Sequence, residues 1–175
     1  TSLTTGRPAE HFRIESLAVS SDGKSVAIGG GREVELWQRT DSGWQKRTAF
    51  LVRGDVKSLS FGGRGGTLLV GGGIYKKPEV HLYDITGESP KPITAFTGLR
   101  DVALSVTASS SGKLFAATDE TGRVVVWSAL GKKLHEWTFP GPVHCVSFAP
   151  DGRHLALGNG DGTVYILRLA VPANK

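Results

Sequence analysis

Val143-His-Cys-Val-Ser-Phe-Ala-Pro-Asp-Gly-Arg-His-Leu-Ala-Leu-Gly-Asn-Gly-Asp-Gly-Thr-Val-Tyr-Ile-Leu167 reads as strand, Asp-Gly hairpin, strand, Gly-rich turn, strand. Apolar residues alternate with polar ones at period 2, and Asp151-Gly152 supplies the positive φ that a tight hairpin requires. Three earlier stretches fall into register with its first half: Leu17–Gly29, Leu59–Gly71 and Val106–Thr118. Their turn glycines are Gly23, Gly65 and Gly112, and with Gly152 the separations are 42, 47 and 40 residues. A period of about 40–45 residues is that of a four-stranded unit repeated along the chain.

A third strand follows each pair: Val34–Trp37, Val80–Tyr83, Val124–Trp127 and Val164–Leu167, each closed by a bulky residue. An outer strand follows in the first three units, at Trp44–Leu51, Pro92–Phe96 and Leu134–Phe139. No run of ten residues carries helical periodicity, so the chain is read as all-β. The 24 glycines among 175 residues sit at spaced turn positions, which marks short strands and tight turns, not disorder.

Composition narrows the function classes. Hydrophobic residues make up 39% of the chain, and none of their runs approaches the roughly 20 needed to cross a membrane as a helix. The single cysteine, Cys145, rules out an intrachain disulfide, and a cytoplasmic location is the default reading. The formal charge of +5 comes from scattered basic residues. The chain has no methionine and opens Thr1-Ser2-Leu3, so it is read as a piece of a longer protein.

These residues carry a resemblance to the WD-repeat family, over about residues 12–168, and the fourth repeat resembles it most. The resemblance implies a β-propeller of four-stranded antiparallel blades. One propeller segment spans 1–175, with blades near 12–51, 54–96, 99–139 and 141–169. Family blades often carry a Gly-His pair before the first strand, whose His joins a buried polar network. Here Gly54, Gly98 and Gly141 remain but no His follows them, and the turn Asp is plain only at Asp161. Blade stability is therefore expected to rest mainly on apolar packing between sheets. Ile74-Tyr-Lys-Lys-Pro-Glu79 reads as an insertion that lengthens the loop between the second and third strands of blade 2.

Family rings usually hold seven blades, so four are expected to leave the ring open. The preferred completion is a missing N-terminal part of the same polypeptide, and closure of an eight-bladed ring by two copies is next. Blades from another protein are the third route. Thr1–Thr5 read either as the end of an earlier outer strand or as a strand donated to blade 4.

No catalytic, metal or cofactor site is assigned. Gly62-Gly-Arg-Gly-Gly-Thr67 lacks the Gly-Lys-Ser/Thr ending and following helix of a phosphate loop, and sits where other repeats place a hairpin. Asn159–Thr163 would need its bidentate acid at Ala170, so it too reads as a blade turn. His11, His81, His135, His144 and His154 show no metal-ligand spacing. The set facing a central channel would be Glu15, Lys57, Leu104 and His144, a poor donor set. Cys145 reads as a buried inert thiol, Trp37 and Trp127 as core, and Trp44 and Trp137 as half-exposed.

The resemblance also implies one loop face for partner docking. It would carry His11, Arg13, Arg32, Arg53, Asp55, Lys57, Tyr75, Lys76, Lys77, Arg100, Asp101 and His144. Of these, Arg13, Arg53, Lys57, Tyr75, Lys76, Lys77, Arg100 and His144 are the candidate contacts. Arginine and tyrosine are frequent interface anchors. The expected function is a non-catalytic scaffold that docks a protein partner, which includes the rest of its own propeller or a second copy. The alternative is nucleic-acid binding through the same basic face, although no aromatic and basic interleaving supports it.

Overall fold

The computed structural model describes residues 13–63 and 65–170, so Thr1–Thr5 and His11 lie outside the described residues. Within that span every regular element is a strand, and each sheet is antiparallel and ordered as the chain runs. Blade 1 comprises β1 (Ser16–Val19), β2 (Ser25–Gly30), β3 (Glu33–Thr40) and β4 (Gly43–Leu51). Blade 2 comprises β5 (Asp55–Gly62), β6 (Thr67–Ile74), β7 (Lys77–Asp84) and β8 (Lys91–Ala95). Blade 3 comprises β9 (Ala103–Ala108), β10 (Leu114–Asp119), β11 (Arg123–Ser128) and β12 (Lys133–Thr138). Blade 4 has only β13 (Val143–Phe148), β14 (His154–Asn159) and β15 (Val164–Arg168) among the described residues.

The hairpins between the first two strands are built as their sequence dictates. Gly23, Gly112 and Gly152 all take φ near +65° (67, 67 and 65°), where a side chain would strain the backbone. In blade 1 the Asp22 carboxylate accepts from Ser20 Oγ at 2.6 Å and from the Lys24 amide at 3.0 Å. Those two bonds hold its pKa below the ordinary carboxylate value. Asp151 is held low in the same way, first by the Arg153 amide and then by the His154 ring. The glycine-rich run of blade 2 is likewise the turn between β5 and β6.

Strand alternation gives each blade two faces, and each joint between blades has its own apolar cluster. Val34 and Leu36 of blade 1 meet Leu59, Leu68 and Val70 of blade 2. Val80 and Leu82 of blade 2 meet Val106, Phe115 and Trp127 of blade 3. Val124 and Val126 of blade 3 meet Val146, Leu155 and Leu157 of blade 4. No fourth cluster joins blade 4 to blade 1 among the described residues, so the fan is open.

Two irregularities recur. In blades 1 to 3 the pairing of third and outer strands slips just before the closing aromatic, at Leu36/Trp37, Leu82/Tyr83 and Val126/Trp127. In blades 2 to 4 the innermost strand carries a bulge that skips Lys57, Leu104 and His144 in turn. A bulged residue has no cross-strand partner and its side chain is re-aimed.

Three sequence expectations need correction. Residues 74–79 are not a long loop: Ile74 pairs with Lys77 and Gly73 with Pro78, so the extra residues lengthen β6 and β7 and leave a two-residue turn. Cys145 is exposed, because among the described residues no further sheet covers the side of β13 that it faces. Nor is Asp161 alone as a turn aspartate: Asp119 bonds the β10–β11 turn, and buried carboxylates add to the apolar packing. Glu35 is fully buried, accepting from Trp37 Nε1 at 3.0 Å and from Lys46 Nζ at 3.3 Å. Asp101 and Asp119 are buried as well. A buried polar group needs hydrogen-bond partners, and each of these carboxylates has them.

Candidate functional site

The turns joining second to third strands and the loops entering each innermost strand meet at one face, as their bonds show. The Lys76 amide, in the β6–β7 turn, donates to Asp101 Oδ1 at 2.7 Å in the loop entering blade 3. Asp101 Oδ1 also accepts from the Val102 amide at 2.8 Å. Gly160, after β14, donates its amide to the Pro142 carbonyl in the loop entering blade 4 at 2.8 Å. In blade 1 the Val56 amide donates to Gly31 O at 2.6 Å, which ties the β2–β3 turn to the start of blade 2.

Asp119 is the keystone of blade 3. Its Oδ2 accepts from the amides of Arg100 at 2.7 Å and Asp101 at 3.4 Å. Its Oδ1 accepts from Thr121 N, Thr121 Oγ1 and Arg123 N at 2.9, 2.7 and 3.0 Å. One carboxylate thus closes the β10–β11 turn and fixes the loop that presents Arg100 and Asp101. Asp161, the plain turn aspartate of the sequence, is exposed and accepts from the Thr163 amide at 2.8 Å; that bond lowers its pKa.

The structure brings the candidate contacts together in groups. Tyr75 and Lys76 form the turn of the long blade 2 hairpin, with Lys77 at its base, and all three are exposed. Lys76 Nζ lies 5.0 Å from the centre of the Tyr75 ring, over its face. Lys76 takes φ 56°, and its amide is the one held by Asp101, so the turn is fixed at its most strained residue. Arg100 is exposed in the loop next to that clamp.

Arg13 and Lys57 form a second group, sharing Glu15 at 3.4 and 4.0 Å. Their charge is thereby partly matched inside the chain. Arg53 is exposed at the mouth of a small cleft between the loop entering blade 2 and Glu79, His81 and Tyr83. His81 Nε2 and Glu79 Oε2 are 2.5 Å apart there, and burial pushes the Tyr83 phenol up. His144 stands apart on the blade 4 bulge, exposed beside Gly160. Arg32 turns to the backbone, where its Nε donates to Val52 O at 3.4 Å.

Sequence reasoning missed the clamp that fixes these loops. Asp119-Glu-Thr-Gly122 is an aspartate two residues before a threonine, a spacing that lets the carboxylate bond its own turn. That signal was present, but its reach to Arg100, 19 residues away, follows only from the fold.

Among the described residues, no group of three or more His, Cys, Asp or Glu side chains is arranged to hold a metal ion. No helix among them is long and apolar enough to cross a membrane.

The comparisons with known proteins agree with the fold. A family model described as "WD domain, G-beta repeat" matches residues 131–167. Actin-interacting protein 1 of Caenorhabditis elegans is 24% identical over 163 residues, covering 90% of this chain and 25% of that protein. Serine-threonine kinase receptor-associated protein of Gallus gallus is 26% identical over 161 residues, covering 90% of this chain and 43% of its own. Target of rapamycin complex subunit LST8 of Bos taurus is 24% identical over 100 residues, 55% of this chain and 31% of that protein. The chain therefore spans less than half the length of each of these relatives. Proteins of this kind generally serve as protein-interaction scaffolds. Four sheets in one register, the shared turn glycines and these matches point one way: the chain is similar to WD-repeat proteins and has the fold of consecutive propeller blades.

Proposed function

We propose that this chain is a non-catalytic docking module whose loop face binds a protein partner with an acidic surface. The observation that carries the reading is the blade 2 hairpin: Tyr75, 72% exposed, beside Lys76 and Lys77 on a turn tied down by Asp101. An aromatic held out on stiff backbone loses little conformational entropy when it is covered, which is what an interface anchor needs. Arg53 and Arg100 extend the same face with further cations.

The relatives' names point the same way, since two of them speak of interaction or association with another protein and the third of a complex. Fold alone does not name a partner, and the residues above define only its chemistry.

The test is the triple variant Arg53→Glu, Lys76→Glu, Lys77→Glu, titrated by calorimetry against a purified acidic partner of the full chain. The variant is expected to fold as the parent does by circular dichroism and to bind at least about 10-fold more weakly. Unchanged affinity with the fold intact removes these residues from the interface. Tight binding of generic duplex DNA, falling steeply between 50 and 200 mM salt, would assign the face to nucleic acid instead.

A further inference from the structure

Of the four turns that join second to third strands, three carry their own support. Gly31, Gly122 and Gly162 take φ of 50, 83 and 86° in blades 1, 3 and 4, where glycine alone meets no steric cost. In blades 3 and 4 an aspartate also bonds its own turn, Asp119 to Thr121 N and Asp161 to Thr163 N. The blade 2 turn, Tyr75-Lys76, has neither device. Lys76, at φ 56°, is the one non-glycine residue with positive φ among the described residues. Neither tyrosine nor lysine has the short polar side chain that bonds a turn's own backbone. The sequence of this turn therefore does not fix its shape.

The support comes from the next blade. The Lys76 amide donates to Asp101 Oδ1 at 2.7 Å, and the same oxygen accepts from the Val102 amide at 2.8 Å. Both segments depart from the repeat plan. The blade 2 hairpin is lengthened over residues 74–79, and the loop entering blade 3, residues 96–102, is longer than its counterparts 52–54 and 139–142. Between blades 1 and 2 the turn meets the next blade by backbone alone, Gly31 O accepting from Val56 N at 2.6 Å. Where both segments are lengthened, a carboxylate takes over that contact. A charged acceptor holds an amide more strongly than a neutral one.

Asp101 is itself held in place, 6% exposed. Trp127 Nε1 donates to Thr97 O at 2.9 Å, and Arg123 Nη1 to Gly98 O at 2.6 Å. The amides of Arg100 and Asp101 donate to Asp119 Oδ2 at 2.7 and 3.4 Å. Each of these anchors belongs to blade 3, so its frame places the carboxylate before any partner arrives.

We infer that Asp101 is a positioning residue of the docking face: from blade 3 it sets the blade 2 turn that presents Tyr75 and Lys76. The inference rests on the loop-face reading above and makes that face a joint property of two blades. Without the bond, the turn samples other backbone states and must be ordered on binding. The contact side chains all remain, yet affinity falls. Asp119 acts on the same turn through Asp101, two bonds away from any partner.

The experiment compares Asp101→Ala with Asp101→Asn in the full chain by amide hydrogen exchange. Both variants lose the same charge, and only asparagine keeps an acceptor for the Lys76 amide. Exchange at the hairpin end, from Ile74 to Lys77, should be at least about 10-fold faster in Asp101→Ala than in Asp101→Asn. The amides of Phe115 and Ala116 in β10 should differ by less than about 2-fold, a split that general loosening of blade 3 would not give. A poly-glutamate peptide should bind Asp101→Ala at least about 3-fold more weakly than Asp101→Asn. Equal exchange at the hairpin end overturns the proposal and leaves the loop-face reading standing. An equal rise in β10 overturns it too, since Asp101 would then only hold blade 3 together. Equal affinity for the peptide overturns it where the triple charge variant described above weakens binding. Where the triple variant has no effect either, the loop-face reading falls with it.

Discussion

Blades 3 and 4 share a plan and differ in what surrounds them. In blade 3, Asp119 follows the strand position that pairs with Ser105; in blade 4, Asn159 holds the same place after Gly158. Asp119 gathers five hydrogen bonds from two loops, while Asn159 reaches the loop entering its blade by Nδ2, which donates to the Pro140 carbonyl at 2.7 Å. Trp127 closes the third strand of blade 3, 1% exposed, its Nε1 donating to Thr97 O at 2.9 Å; blade 4 ends the same strand with half-buried Leu167. Yet the family model matches residues 131–167, from the outer strand of blade 3 through the described strands of blade 4. Likeness to a motif and completeness of a blade are separate properties, because burial comes from the sheets on either side.

Replacing Trp127 with Ala is the largest way to break this contrast. It should cost about 3–5 kcal/mol in urea unfolding, through the cavity it leaves. Ile166→Ala, at a side chain 65% exposed in this chain, should stay within about 0.5 kcal/mol. Near-equal effects would mean that blade 4 is as enclosed as blade 3.

Asp119→Asn comes next. It turns the blade 3 clamp into the side chain that blade 4 uses, and should cost about 1–3 kcal/mol because amides that met a carboxylate face an amide nitrogen. Asn159→Ala, measured alongside by the same unfolding curves, should cost less than about 1.5 kcal/mol.

How much of this was legible in the sequence depends on whether the signal is local. Period-2 alternation and turn glycines such as Gly23 and Gly152 depend on neighbours in sequence, so strands, order and blade count could be read directly. The innermost-strand positions of Lys57 and His144 were legible by alignment, but the bulge was not, since it is a slip in pairing. Tyr75 and Lys76 were found as an exposed pair, yet the loop expected there is a strand extension, because Gly73 and Pro78 pair across the hairpin. Burial of Asp119 and exposure of Cys145 depend on whether a neighbouring sheet exists. No spacing along the chain encodes that.

The smallest expected effect is on pH. The hairpin of blade 4 turns on Asp151, held below the ordinary carboxylate value first by the Arg153 amide; blade 3 has Ser111 at that place. A depressed carboxyl contributes stability in full above its unfolded pKa of about 4 and loses it as pH falls through the lower folded value. Amide resonances of Arg153 and His154 should therefore move below pH 4 while that of Lys113 stays still. Equal movement in both hairpins would show that the difference lies elsewhere.

The skipped residues of the innermost strands have a consequence for how such a molecule changes over time. Lys57, Leu104 and His144 are a cation, a hydrocarbon and an imidazole at one structural address. With no partner across the ladder, none of them sets the register of its blade. Selection can therefore rewrite the chemistry at that address, blade by blade, while leaving the sheet that carries it untouched.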